Sequence, residues 1–215
     1  KNQLINNAKS MTDYFNTLAT NLRNVQIDAN NEIKDTVNQI NSLAQSISSL
    51  NKQINQIQAN YGNANDLKDQ RNALIDDLSK LVNISVSETD IGYNLTDLQI
   101  TINGNSLVNG YNYHTLQTVS RDEPRNVSDA AGLYDIQWET GQPFNIYSTS
   151  LGGELKGLID IRDGCNGEIE KYATTTDDDG NETYKTDAEG NILTDTVSKV
   201  DSITNYKGVP YYQAQ

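Results

Sequence analysis

The chain has 215 residues, of which 35% are hydrophobic, and its formal net charge is −13. A single cysteine excludes an internal disulfide, and one histidine with one cysteine cannot build a zinc site of the usual kinds. Residues 1–60 carry a net charge of +1 and the remainder −14, so the second part would repel nucleic acid or an anionic membrane.

The first predicted element is one long helix over residues 1–61, a stretch that contains neither Gly nor Pro. Its apolar residues recur at heptad spacing, which places them on one stripe of an α-helix. At 1.5 Å per residue the helix would be ~90 Å long. An ordinary globular domain rarely needs such a rod, so the pattern is typical of a structural part. The stripe consists of Leu4, Ala8, Met11, Phe15, Leu18, Leu22, Val25, Ala29, Ile33, Val37, Ile40, Ala44, Ile47, Leu50, Ile54, Ile57 and Tyr61.

The polar face of this helix is unusual, because Asn and Gln supply 20 of the first 60 residues. A solvated coiled-coil surface normally carries pairs of Glu and Lys instead. Neutral amides can hydrogen-bond to neighbours without fixing a charge pattern, so this face could contact other subunits. The alternative is a composition inherited from an AT-rich genome, and the sequence leaves both interpretations open.

A second helix is predicted over residues 66–82, where apolar residues again share one face. The short connection predicts that it packs antiparallel on the first helix. From 83 to 150 the period changes to two, as in half-buried strands, and Asn103–Gly104 predicts a hairpin turn. The predicted fold is therefore α+β: a long antiparallel helical bundle or coiled-coil rod with a small antiparallel β unit.

The last part of the chain predicts a third helix and then an insertion. Gly152 and Gly153 precede the helix, which we expect to extend to about Tyr172. The segment after it has the turn chemistry of a surface hairpin and ends as an extended lead-in to a C-terminal helix that this fragment lacks. The predicted domains are a helical domain at 1–82, a β region at 83–150, a helix returning to the helical domain at 151–172, and the hairpin-like insertion with its lead-in at 173–215.

No motif in the sequence predicts a catalytic, cofactor or metal site. The run Asp177–Gly180 fails the EF-hand pattern, because Thr175 and Thr186 stand where that loop needs its first and last carboxylates. We expect the only histidine, His114, and the only cysteine, Cys165, to be structural. No apolar run approaches the roughly 18 residues of a membrane span.

Two segments resemble the bacterial flagellar hook-associated protein 1 (FlgK) family, the first junction protein between hook and filament. Residues 50–82 contain LNKQI and then ANDLKDQRNALIDDLSKLV, similar to the family's pattern DLxDQRDxLLxxLSxLV. Residues 151–164, LGGELKGLIDIRDG, are similar to the family's GGxLxGLLxxRD. The order of the elements also fits, although Asn72 stands where the family usually has Asp.

The residues of these motifs suit packing roles. We expect the leucines to bury one face of each helix, and Arg71 to hold a carboxylate or helix-end carbonyls. The glycines would let a helix start tightly and approach other backbone closely, and Arg162 with Asp163 could form an ion pair. The predicted motif residues are Leu67, Asp69, Gln70, Arg71, Leu74, Leu78, Gly152, Gly153, Leu155, Gly157, Leu158, Arg162 and Asp163.

The resemblance implies an extracellular structural component of the flagellum, secreted through the flagellar export apparatus. It would join hook to filament by helical self-assembly, with further copies of itself, the hook protein and the second junction protein as partners. No enzymatic activity, cofactor, nucleic acid or membrane is implied. The family's terminal helices drive polymerisation, so a fragment without them is expected to be monomeric.

Two alternatives remain open at this point. One is another flagellar filament part, either flagellin or the second junction protein, which share a helical plan. The other is a surface adhesin or binding module on a helical stalk. An exposed aromatic patch with glycan affinity would support the adhesin; its members would include Tyr111, Tyr113, Tyr134 and Trp138.

Overall fold

The structure is a computed structural model that describes residues 2–93, 95–122, 124–125 and 129–164, together with the backbone of four strands between residues 168 and 198. The chain divides into two compact units. Unit 1 consists of Lys1–Asp28, Arg121–Leu133 and Ile161–Gln215; unit 2 consists of Ala29–Ser120 and Tyr134–Asp160. The predicted division at residues 83, 151 and 173 stays a prediction.

Three α-helices are present among the described residues. Helix α1 is Asn2–Ala59, α2 is Asn65–Leu81 and α3 is Gly153–Asp163. The long unbroken α1 follows from a stretch without Gly or Pro, and with the antiparallel strands it confirms the α+β class. None of the helices in the described part is long and apolar enough to cross a membrane.

Within unit 2, α2 runs antiparallel to α1. The guanidinium of Arg71 contacts the amide oxygen of Asn51 at 3.1 Å. Asp77 and Lys80, further along α2, line one groove with Asn38 and Ser42, which come earlier in α1. Later residues of α2 thus lie beside earlier residues of α1, as the short connection predicts.

The β unit is antiparallel throughout. A four-stranded sheet has the order β1 (Ser85–Gly92), β2 (Leu95–Ile102), β3 (Asn105–Asn109) and β4 (Asn112–Tyr113). The predicted turn is confirmed: Asn103 and Gly104 both have positive φ, 50° and 80°, as a two-residue type I′ hairpin requires. A separate pair joins β5 (Leu116–Ser120) to β6 (Tyr134–Trp138).

The apolar core described by the structure lies mainly in unit 2. The heptad residues of α1 from Ala29 to Ile54 supply one wall, except that Leu50 is only half-buried. Inward residues of the sheet and of α2 and α3 supply the rest, including Leu78, Leu98, Ile100, Ile102, Leu107, Val108, Leu116, Ile136, Leu155 and Ile159. Burial of this kind stabilises a fold by about 25 cal/mol per Å² of apolar surface.

The third helix is shorter than predicted, and the expectation that it reaches Tyr172 is wrong. It ends at Asp163, and Gly164 follows with φ +69°, the left-handed conformation that commonly ends a helix. Strand β7 (Glu168–Tyr172) occupies the last five residues of the predicted helix. The prediction took Ile169 as a helical position, although Gly164 and Gly167 stand in the sequence between it and the helix.

Unit 1 contains the strands after α3. Strand β7 pairs antiparallel with β10 (Thr194–Ser198), and β8 (Thr174–Thr176) pairs antiparallel with β9 (Glu182–Tyr184). Two antiparallel pairings thus fall largely within the segment predicted to be hairpin-like. The turns predicted for this hairpin, at Asp179–Gly180 and Gly190–Asn191, lie outside the described residues, as do residues 199–215 with the predicted lead-in.

Candidate interaction surface

Arg71, the arginine of the DQR motif, is buried and holds three elements of unit 2 together. Its Nη2 donates to both carboxylate oxygens of Glu88 on β1 at 3.1 Å, and its Nη1 donates to Asn51 on α1. The guanidinium therefore holds a carboxylate as expected, and this carboxylate comes from β1. A planar, permanently charged fork suits such fixed geometry.

The other motif residues of α2 and α3 differ in their burial. Leu78, Leu155 and Leu158 are buried, whereas Leu67 and Leu74 are half-buried and Asp69 and Gln70 are exposed. The leucines pack as expected of a helix with one apolar face. The exposed Asp69 and Gln70 make no side-chain hydrogen bond that the structure describes, so their part in the motif stays a prediction.

Gly153 accounts for the start of α3. It has φ +80°, and an added Cβ would lie 2.8 Å from the backbone of Leu81. Gly152, next to it, accepts a hydrogen bond from the backbone N–H of Asn83 at 3.2 Å. This is the close backbone approach that the double glycine predicts. Gly157 differs, because an added Cβ there would meet nothing within 4 Å.

Arg162 and Asp163 form a buried ion pair in unit 1, and a second arginine joins them. Arg162 donates to Asp163 through Nε at 3.0 Å and Nη2 at 2.8 Å. Arg121 Nη2 donates to both oxygens of the same carboxylate, at 3.2 and 3.0 Å. Burial raises the pKa of Asp163, but the charges and hydrogen bonds of the two arginines outweigh it, so this pKa lies well below its ordinary value.

Polar side chains of α1, mostly asparagine amides, hydrogen-bond to the backbone of the β unit, which the composition alone did not reveal. In unit 2, Asn41 donates to the carbonyl of Leu116 and accepts from its N–H, both at 2.8 Å. Asn55 does the same to Thr96, at 2.8 and 3.2 Å. Ser48 donates to the carbonyl of Tyr111 at 2.6 Å.

We call the asparagines 30, 41, 51 and 55, together with the hydroxyl of Ser48, the amide ladder. Asn51 donates to the carbonyl of Gly110, and Asn30 accepts from the N–H of Tyr134. Each rung satisfies backbone groups of the β unit, as buried polar groups require. Asn41, Ser48 and Asn55 are spaced seven residues apart, and this spacing was the sequence signal that could have predicted a shared face for these contacts. For the four asparagines of the ladder, contacts within the chain account for their part of the amide face.

An exposed apolar stripe covers the first part of α1, in unit 1. The exposed fractions of its large apolar residues range from 41% for Leu18 to 75% for Leu4. The same heptad pattern is buried from Ala29 to Ile54, apart from the half-buried Leu50. The described residues leave the first part of the pattern uncovered. We call this surface the open stripe; it consists of Leu4, Ala8, Met11, Phe15, Leu18, Leu22 and Val25.

The open stripe is broad. Ile5 and Tyr14 are also exposed and flank it on its two sides, whereas the charged residues Lys9 and Asp13 lie on the opposite side of the helix. A stripe restricted to two positions per heptad suits a two-stranded coiled coil, but a wider one suits a helix that packs against more than one neighbour. The open stripe is thus the candidate surface for helix association.

The aromatic patch proposed for an adhesin does not form as expected. Trp138 is only 4% exposed and packs against Phe144, with ring centroids 6.1 Å apart. The ring of Tyr134 lies below the ammonium of Lys34, 5.6 Å from the centroid. Alternation along β6 turns Trp138 inward, so only Tyr111 and Tyr113 of the four stay exposed.

Comparisons with known proteins place the chain in a family. The sequence profile of the flagellar hook-associated protein FlgK helical domain matches residues 1–191. Among solved structures, the flagellar hook junction protein FlgK from Burkholderia pseudomallei matches with a TM-score of 0.55 and 26% sequence identity, over 68% of this chain and 25% of that one. The chain thus spans a quarter of the length of that protein, and no curated protein sequence matches significantly. On the match of the helical-domain profile over residues 1–191, the chain belongs to the FlgK family.

Proposed function

We propose that this chain is the helical domain, with its β unit, of a structural protein that joins the flagellar hook to the filament. The open stripe carries this proposal, because an apolar surface along most of 28 residues needs other helices to cover it. In the assembled organelle these helices would come from neighbouring parts of the same helical array. The family membership and the similarity to a hook junction protein support this role.

The proposal includes the partners and location that the family implies. Copies of the protein would contact one another, the hook protein and the second junction protein, outside the cell and after export through the flagellar apparatus. The roles of Arg71, Gly153 and the amide ladder are then to hold a rigid wall element, on which the β unit is carried. No enzymatic activity is part of the proposal.

Charge on the open stripe tests this function in the full-length protein. Leu18→Glu together with Leu22→Glu puts two carboxylates on the stripe, whereas Asn16→Glu with Thr20→Glu puts the same pair, at the same spacing, on the opposite side of α1. We expect cells with the stripe variant to secrete the protein normally but to lose their filaments, which electron microscopy and a swimming assay would show.

The control cells should keep filaments and swim. Filaments retained in the stripe variant would contradict the proposal, and so would equal loss in both variants, because the defect would then follow charge rather than position.

A further inference from the structure

Strand β1 is an exposed edge of the four-stranded sheet in unit 2. Every residue of Ser85–Gly92 is exposed, and within the sheet β1 pairs only with β2. In the described part of the chain, no backbone group outside β2 hydrogen-bonds to residues 85–91. One side of β1 therefore presents unpaired backbone groups, which can pair with a further strand.

The contacts of β2 show which backbone groups of β1 point outward. The carbonyl of Leu98 accepts from the N–H of Gly110, on the β3 side of β2, and both backbone groups of Thr96 bond to the side chain of Asn55. Leu98 and Thr96 thus face away from β1, so the residues of β1 opposite them face away from β2. Alternate residues share this orientation. We call their outward N–H and C=O groups the open edge; these groups belong to Val86, Glu88 and Asp90.

The open edge lacks the usual protection against strand pairing. Natural edge strands are often short, or they carry lysine, proline or a bulge. Strand β1 has eight residues without Lys or Pro, and its register shift falls at its end, between Asp90 and Gly92. The only charged residue of Ser85–Thr89 is Glu88, and its carboxylate is held by Arg71. The segment Ser85–Thr89 can therefore accept another strand.

A second copy of β1 matches the open edge in one register. Two identical strands pair antiparallel about a two-fold axis that passes beside one residue. An axis at Glu88 would put this carboxylate opposite its own copy, and an axis at Thr89 would put it opposite Asp90. Like charges directly opposite each other are destabilising. An axis at Ser87 puts no like charges opposite each other.

The register centred on Ser87 also satisfies the backbone. Val86 then lies opposite Glu88 of the second copy, and the two residues exchange N–H···O bonds in both directions, which gives about four hydrogen bonds across the axis. On the other face of the strand, Ser85 lies opposite Thr89, and such hydroxyl pairs hydrogen-bond between strands. The opposite edge of the sheet, β4, has only two residues, so it is too short to be the partner of β1.

We propose that two copies of the chain pair through β1, antiparallel about a two-fold axis at Ser87, and so join their sheets. This contact closes on two copies and cannot extend a helical array, so it goes beyond the assembly function and does not depend on it. A single strand pair is smaller than the roughly 1,200–2,000 Å² of a stable interface, and we expect a Kd on the order of 1 mM. At micromolar concentrations the chain would be monomeric, as the sequence predicts.

Cysteine trapping tests this register in a Cys165→Ser background. Ser87→Cys places two thiols in a directly opposed pair whose Cα atoms would lie about 4.5 Å apart, within the range of a disulfide. Thr89→Cys is the matched control, because it is exposed on the same face of β1 but its two copies would lie about 13 Å apart. At about 1 mM protein, near the expected Kd, in a glutathione redox buffer, we expect Ser87→Cys to form a covalent dimer at least about tenfold faster than Thr89→Cys.

Two further measurements use the same register. Ser85→Cys and Thr89→Cys lie opposite each other across the axis, so their equimolar mixture should cross-link faster than either variant alone. Ser87→Lys brings two ammonium groups face to face and should abolish the concentration-dependent dimer in sedimentation equilibrium. Ser46→Lys makes the same charge change at an exposed position of α1 and should dimerise as the parent does.

Three results would each overturn the proposal. Equal rates of cross-linking in Ser87→Cys and Thr89→Cys would mean random collision or another register. A parent chain that stays monomeric in sedimentation at about 1 mM would mean that the open edge does not accept a second copy. Unchanged dimerisation in Ser87→Lys would place the contact elsewhere on the chain.

Discussion

Replacing Asn41 with alanine tests whether the amide ladder holds the β unit on α1. The change leaves both the N–H and the carbonyl of Leu116 without the partners they have at 2.8 Å. Two orphaned backbone groups would cost about 2–6 kcal/mol at about 1–3 kcal/mol each. Because Asn41 is half-buried, water can reach part of this site, and the lower end of about 2–3 kcal/mol applies.

Alanine is also the better helix former, which returns up to about 0.7 kcal/mol. The matched control is Asn31→Ala, because Asn31 is exposed on the same helix and in the same unit. Asn31→Ala gains only the higher helix propensity of alanine, so it should be slightly more stable than the parent. We therefore expect the two variants to differ by about 2 kcal/mol or more in the free energy of unfolding.

Urea unfolding followed by the fluorescence of Trp138, which lies in unit 2, measures this difference. The midpoint should fall in Asn41→Ala while the slope stays unchanged. A difference between the two variants of less than about 0.5 kcal/mol would refute the reasoning, because water would then replace the amide at almost no cost.

Three further changes test the motif residues. Glu88→Ala should cost about 2–3 kcal/mol in urea unfolding because it strands the charge of Arg71 in the core; an unchanged midpoint would mean that the pair contributes nothing. Gly153→Ala should cost at least about 1–3 kcal/mol, given its φ and its contact with the backbone of α2, whereas its control Gly157→Ala should stabilise α3 by about 0.5–1 kcal/mol; equal midpoints would contradict this. Asp163 has a lowered pKa, so its stabilisation is complete above its ordinary pKa of 3.8 and falls as the pH drops below it; circular dichroism should show that Asp163→Asn flattens this acid dependence, and an unchanged acid profile would speak against it.

The elements set by local sequence were predictable. A stretch without Gly or Pro and with heptad spacing predicted α1 to within two residues at each end. Helix-breaking residues and apolar spacing are both local properties of the sequence, so neither depends on distant parts of the chain. Asn103–Gly104 predicted its turn for a similar reason, since few other residue pairs accept positive φ twice. The α2 helix and its antiparallel packing followed from the short connection.

The misses concern interactions between distant parts of the chain. The amide side chains of α1 looked like a surface because their partners, such as the backbone of Leu116, lie 75 residues away in sequence. Glu88 was not expected as the partner of Arg71, because Asp69, Asp76 and Asp77 lie nearer to Arg71 in the sequence. Arg121 was not predicted beside Asp163, because the two residues lie 42 positions apart in the sequence.

The end of α3 was a different kind of error. Gly164 and Gly167 stand between the true helix and the last apolar residues assigned to it, and a glycine in the left-handed conformation ends a helix more strongly than one apolar match extends it. The open stripe was predicted as part of the heptad pattern. The exposure of the open stripe was not predicted, because a heptad pattern looks the same in the sequence whether it is buried in a core or forms an interface.

Immunogold electron microscopy of whole bacteria, with antibody raised against this chain, tests the central claim most directly. We expect a single band of label where the hook meets the filament. Label along the entire filament would instead indicate a flagellin, and label over the cell surface would contradict the flagellar assignment in favour of an adhesin.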